Sequence, residues 1–219
     1  MSRKKALLFG LVLALISVGL SAWSYPHAPA LIPTHWDAAG HANGYMPKLW
    51  GLSVQPALLI GLCVLMLALP KISPTGFRFG QSTDVLNLIV VAVMVVEFVV
   101  GVAVVRASVG MAAPSSGFVL VLVGSLFVII GNYMGKVRKN FFLGIRTPWT
   151  LASDEVWLRT NRLAGWLFVL GGIVFIVSGV VSGNSTGVLI GVVSAIVAVP
   201  IVYSYVVYKR IEGFEANGS

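Results

Sequence analysis

Six stretches of the chain, about residues 6–23, 52–69, 85–105, 118–135, 163–181 and 187–208, each hold close to twenty residues that are almost all apolar. A helix needs roughly 20 such residues to cross the hydrocarbon core of a bilayer, and these runs lack the alternation of barrel strands. With 58% hydrophobic and 10% charged residues in 219, there is too little polar surface to cover a water-soluble globule. The expected fold class is therefore an all-α integral membrane protein with six transmembrane helices. An even number of spans puts both termini on one side.

The net charge of +8 is distributed between the apolar runs instead of along one face, so direct nucleic-acid binding is not expected. Topology explains it better. Thirteen basic residues (Arg3, Lys4, Lys5, Lys71, Arg78, Lys136, Arg138, Lys139, Arg146, Arg159, Arg162, Lys209 and Arg210) flank one set of span ends, against Lys48 and Arg106 at the other. Positive residues stay in the cytoplasm, which predicts cytoplasmic termini and an extracytoplasmic loop between the first two helices. The basic start Arg3, Lys4 and Lys5 ahead of a long apolar run reads as an uncleaved signal anchor, with a removed signal peptide as the alternative. Cys63, alone in the sequence and set in an apolar run, reads as a small buried side chain.

The outer loop, residues 24–51, contains three His, several Pro and the aromatics Trp36, Tyr45 and Trp50. Prolines confine it to extended and turn conformations, so a compact, ordered cap is expected. Within it, His35, Asp37 and His41 offer two imidazoles and a carboxylate to zinc, or else a turn that bonds its own backbone. The inner loop at residues 70–84 has Gly76 and Gly80 as turn residues and Ser82 or Thr83 as N-cap. Short outer connections predict that helices three and four, and five and six, are antiparallel neighbours.

Residues 140–162 form a long polar interval between apolar runs. Ser153 followed by Asp154 and Glu155 is an N-cap with acids in the first helical turn, so a helix is expected to start there and continue through Trp157, Arg159 and Arg162 into the fifth span. Gly144, Arg146, Thr147, Pro148, Trp149 and Thr150 define a turn that either presents Arg146 to an anion or closes the bundle. Glu97 lies mid-span in the third helix, where ionisation costs several kcal/mol. It is expected to be a proton or cation site, or a protonated Glu bonded to a neighbouring helix. No nucleophile elbow, phosphate-binding glycine loop or thiol pair is present.

Two strings carry a resemblance. Residues 140–165, with N-x-x-x-G-I-R-T-P-W-T-L and then S-D-E-V-W-x-x-T-N-R-x-x-G, resemble the signature of the SdpI family of bacterial toxin-immunity membrane proteins. Residues 32–48, IPTHWDAAGHANGYMPK, are similar to the domain of unknown function that commonly precedes it. Asp37, Asn43 and Tyr45 stand where that pattern usually has Asn, Asp and Trp, and Asn161 stands where His is frequent. The resemblance implies an N-terminal two-helix domain over residues 1–75 and a four-helix domain over 76–219 with a cytoplasmic loop at 136–162. It further implies a multi-pass protein of the bacterial plasma membrane whose partners are the lipid bilayer, a peptide toxin and a cytoplasmic repressor, with no cofactor. The expected ligand contacts outside are His35, Trp36, Asp37, His41, Asn43, Tyr45 and Lys48. The expected signature residues inside are Asn140, Gly144, Arg146, Thr147, Pro148, Trp149, Trp157, Thr160, Asn161 and Arg162. A proton-coupled transporter using Glu97 and a metal-dependent membrane enzyme with its site in the 25–51 loop are the rival classes.

Overall fold

The computed structural model describes residues 1–37, 40–72, 83–112, 114–115, 117–140, 142–181 and 186–213. In chain order these form α1 (Arg3–Ser24), β1 (Leu31–Trp36), β2 (Ala42–Pro47), α2 (Lys48–Ile72), α3 (Thr83–Ser108), α4 (Phe118–Met134), α5 (Pro148–Ala152), α6 (Asp154–Val181) and α7 (Thr186–Ile211). Five helices, α1, α2, α3, α6 and α7, are long and apolar enough to cross a membrane. The apolar α4 has 17 residues, a length of roughly 25 Å at 1.5 Å per residue. The chain is thus a multi-pass helical membrane protein. Residues Gly76, Gly80 and Ser82, expected to shape the inner loop, lie outside the described residues.

Two groups of helices make up the bundle. α1, α2 and α3 enclose a core of Ala6, Leu13, Leu59, Cys63, Met66, Leu86 and Met94. Gly10 permits this closeness, since a Cβ there would come within 2.8 Å of both Cys63 Sγ and Met94 Sδ. Cys63 is accordingly a buried free thiol. The second group pairs α6 with α4 on one side and α7 on the other.

Helices five and six of the expected sequence order, α6 and α7, pack together, and helices three and four, α3 and α4, also touch, but the main partner of α4 is α6, while α3 packs more closely on α1 and α2. Glycine spacing is the reason. Gly117, Gly124 and Gly131 lie seven residues apart, as do Gly165, Gly172 and Gly179, and the two rows face one another in antiparallel register. A seven-residue spacing returns close to the same helix face. A Cβ on Gly124 would lie 2.6 Å from the Gly172 carbonyl oxygen, and one on Gly131 would lie 2.6 Å from that of Gly165. Gly117 faces the Gly179 backbone in the same way. Backbone approaches backbone because nothing projects between them, and in lipid such contact replaces the hydrophobic effect as the force between helices.

β1 and β2 form an antiparallel hairpin with Ile32 opposite Met46 and His35 opposite Gly44. The strands are the form taken by the expected extended segments. Ile32 is fully buried against Ala28, Leu52, Val104 and Val105, which seats the hairpin on α2 and the end of α3. A Cβ on Gly51 would come 2.7 Å from Ile32 Cδ1, so the first turn of α2 is shaped to receive it. Replacing Gly131 by Leu should force α4 from α6 and cost about 1–3 kcal/mol or more. Gly191→Leu, at a position with open space around it, should leave the thermal unfolding midpoint in detergent nearly unchanged.

Candidate functional site

The interval between α4 and α6 is a hydrogen-bonded structure built on buried amides. Asn140, 1% exposed, donates its Nδ2 to the carbonyls of Arg138 (2.9 Å) and Leu143 (3.1 Å). Its Oδ1 accepts from the backbone N–H groups of Phe142 (2.8 Å) and Leu143 (2.7 Å). Such saturation is what a buried polar group requires. The turn it fixes sends Phe142 and Leu143 against the α1–α2–α3 core. One loop therefore touches both helix groups.

α6 supplies the other wall. It begins at Asp154, with Val156 N–H donating to Ser153 Oγ at 3.4 Å, and runs without a break to Val181, as the acidic first turn predicts. Asn161, equally buried, donates to the Trp157 carbonyl at 3.0 Å and accepts from Ile145 N–H at 2.8 Å. Trp157 donates its indole N–H to the Val137 carbonyl at 2.8 Å. Gly144 passes between these side chains with φ +108°, and a Cβ there would meet Asn161 Oδ1 at 2.6 Å and the Trp157 ring at 3.0 Å. Left-handed backbone and absent side chain are both needed at this one position.

Thr147 caps α5, exchanging hydrogen bonds with Thr150 in a capping box, with Pro148 in the first turn. Thr147 Oγ1 also pairs with Ser204 Oγ on α7 at 3.0 Å, and the Trp149 ring meets Tyr205 edge-on at 5.2 Å. Thr150 Oγ1 closes the turn on the Ile145 carbonyl at 2.9 Å. Lys139 and Asp154 pair at 2.6 Å, as do Arg159 and Glu155. Arg146 and Arg162 are exposed, and Thr160 is fully buried with an unpartnered hydroxyl.

The candidates among residues 35–48 gather into a smaller cluster. His35 Nδ1 bonds Asn43 Oδ1 across the hairpin. Asp37 Oδ1 accepts the backbone N–H of His41 at 2.9 Å, and its other oxygen lies 3.7 Å from His41 Nδ1. The loop thus bonds its own backbone, one of the two arrangements that HWDAAGH allows. Among the described residues no three His, Cys, Asp or Glu side chains gather into a metal-binding set. Lys48 donates to the carbonyls of Tyr25 (3.1 Å) and Ala28 (3.4 Å) and lies 4.5 Å from the Tyr25 ring centre, tying the start of α2 to the segment that follows α1. Trp36 packs on the Ile32 cluster, while His35, His41, Asn43 and Tyr45 are exposed.

Glu97 is half-buried on α3, and its Oε1 is shielded and unpartnered. One turn on, Gly101 faces the Gln55 side chain of α2, whose Oε1 is likewise unpartnered. Sequence reasoning missed Gln55, Ser204, Tyr205 and the two glycine rows. Only the rows had a signal in the chain, their seven-residue spacing.

These features define a multi-pass helical membrane protein with a β1–β2 hairpin between α1 and α2 and a hydrogen-bonded loop between α4 and α6. Residues 136–204 match the SdpI/YfhL protein family, and residues 12–60 match a domain of unknown function, DUF1648. The chain is 36% identical over 93 residues to the immunity protein SdpI of Bacillus subtilis strain 168, covering 42% of this chain and 44% of that protein. The match spans less than half the length of that relative. No solved structure matches.

Gly144→Ala should lower the unfolding midpoint and expose the inner loop to protease. Gly110→Ala, at a glycine with φ +80° but open space around it, should cost only the backbone strain of about 1 kcal/mol. Equal effects of the two changes would mean that the Asn161–Trp157 wall does not hold the loop.

Proposed function

We propose that this chain is an immunity protein of the bacterial plasma membrane that protects against a secreted, membrane-active peptide toxin. The observation that carries the reading is its 36% identity to the immunity protein SdpI. The topology proposed with it has six spans, counting α4, and cytoplasmic termini, as the positive-residue distribution supports. The outer hairpin, through His35, Trp36, Asp37, His41, Asn43, Tyr45 and Lys48, meets the toxin or the lipid around it. Residues 140–162 act as an inner latch. Because Phe142 and Leu143 rest on the first helix group while Thr147 bonds α7, movement in one group is felt by the other. Such a latch can also report occupancy to a cytoplasmic repressor, a signalling role that rests on the family resemblance.

A second reading, proton-coupled transport, is favoured by the shielded, unpartnered Glu97 Oε1 beside the Gln55 level of α2. Expression of the chain in a toxin-sensitive bacterium should raise survival against a secreted peptide toxin, above all one encoded beside this gene. Trp36→Ala with His35→Ala should remove the protection, and Glu97→Gln should retain it. Unchanged sensitivity to every such peptide would sink the immunity reading. Loss of protection in Glu97→Gln, together with loss of proton flux in reconstituted vesicles, would move the assignment to transport.

A further inference from the structure

Past the innermost glycine contact, α4 ends at Gly135 while α6 continues, and a cavity of about 280 Å³ opens between them. Its lining includes Gly131, Asn132, Lys136, Arg162, Trp166 and Val169. We infer that this notch binds the headgroup of an anionic phospholipid, with Lys136 and Arg162 holding the phosphate.

The two cations share one opening. A Cβ on Gly135 would lie 3.5 Å from Arg162 Cα and 3.8 Å from its Cβ and Cγ, so the Arg162 stem crosses the helix end immediately before Lys136. The Lys136 ammonium stands 5.1 Å from the centre of the Tyr133 ring. Neither cation has a carboxylate within ion-pair distance among the described residues, although their neighbours do. Lys139 pairs with Asp154 and Arg159 with Glu155, each at 2.6 Å. Each of these basic residues, three positions from a notch cation, is neutralised, and the pair at the notch is left with two positive charges for a ligand. Arginine and lysine together suit a phosphate, Arg by its planar fork and Lys as a point charge.

The surroundings fit a lipid better than a free ion. Trp166, one turn beyond Arg162, is 64% exposed, and an indole in that setting belongs at the headgroup level. Below it on α6, Leu170 and Ile173 are exposed apolar side chains on which an acyl chain can lie. The glycines that let the helices touch also leave the notch without side chains in its floor. A zwitterionic headgroup would bring a third positive charge to the site, so a net negative headgroup is selected. Each basic residue near an anionic membrane surface contributes about 1 kcal/mol, or about fivefold in affinity.

The test uses the full chain in phosphatidylcholine vesicles with increasing brominated phosphatidylglycerol or, separately, brominated phosphatidylcholine. The Trp166 signal is the difference in quenching between the wild type and Trp166→Phe. Half-quenching should need a brominated phosphatidylglycerol fraction at least about fivefold lower than that of brominated phosphatidylcholine. The Lys136→Gln/Arg162→Gln variant should lose the preference, and Lys136→Arg/Arg162→Lys should keep it with an unchanged helical circular dichroism spectrum. Equal quenching by the two lipids in the wild type would overturn the inference. So would an equal loss in a Lys209→Gln/Arg210→Gln control, which would show a general surface-charge effect. Relief of the quenching by millimolar inorganic phosphate would assign the site to free phosphate and contradict the lipid.

Discussion

Backbone contact between α4 and α6 is the constraint on which these helices and the loop between them depend. Its three glycine pairs, Gly117 with Gly179, Gly124 with Gly172 and Gly131 with Gly165, set the register of two antiparallel helices that have little hydrophobic drive to associate in lipid. The same rigid α6 carries Trp157 and Asn161 beyond the last pair, so a shift of the crossing would move both. Trp157 reaches back to Val137 just after α4, and Asn161 reaches Ile145 in the loop. The register of the helices and the shape of the loop are therefore one arrangement.

That loop is held by polar groups in buried positions, which makes it intolerant of partial change. Asn140 and Asn161 are each 1% exposed and satisfied by backbone partners. Removing one amide would strand several main-chain groups, each costing about 1–3 kcal/mol. A segment of this kind suits a latch better than a flexible tether. It joins helices on both sides of the molecule, and its exposed residue Arg146 is presented on a fixed turn.

Much of this was legible in the chain, for identifiable reasons. Apolar runs of nearly twenty residues fixed the helices, and Ser153-Asp154-Glu155 fixed the start of α6, because both signals are local. Gly144 before Ile145-Arg146 and Pro148 marked the turn. The main helix pairing was less legible, because short connections suggested α3 beside α4, which do touch, whereas glycine rows on α4 and α6 make the tightest packing through contacts 34 to 62 residues apart. Ser204 as partner of Thr147, 57 residues away, has no local signature at all. The Pro-rich outer loop announced extended segments, but pairing Ile32 with Met46 required the buried floor supplied by Leu52, Val104 and Val105.

The antiparallel glycine register can be tested by a disulfide at its inner end. A Cβ at position 135 lies 3.8 Å from that of Arg162, the mean Cβ separation of a disulfide being about 3.8 Å. In a Cys63→Ser background, the pair Gly135→Cys/Arg162→Cys should cross-link within one chain under mild oxidation in native membranes, while Gly135→Cys/Trp166→Cys should not. A reducible internal link is expected in the first pair alone. Failure of that pair to cross-link, with efficient linkage through position 166, would contradict the register and with it the shape of the inner loop.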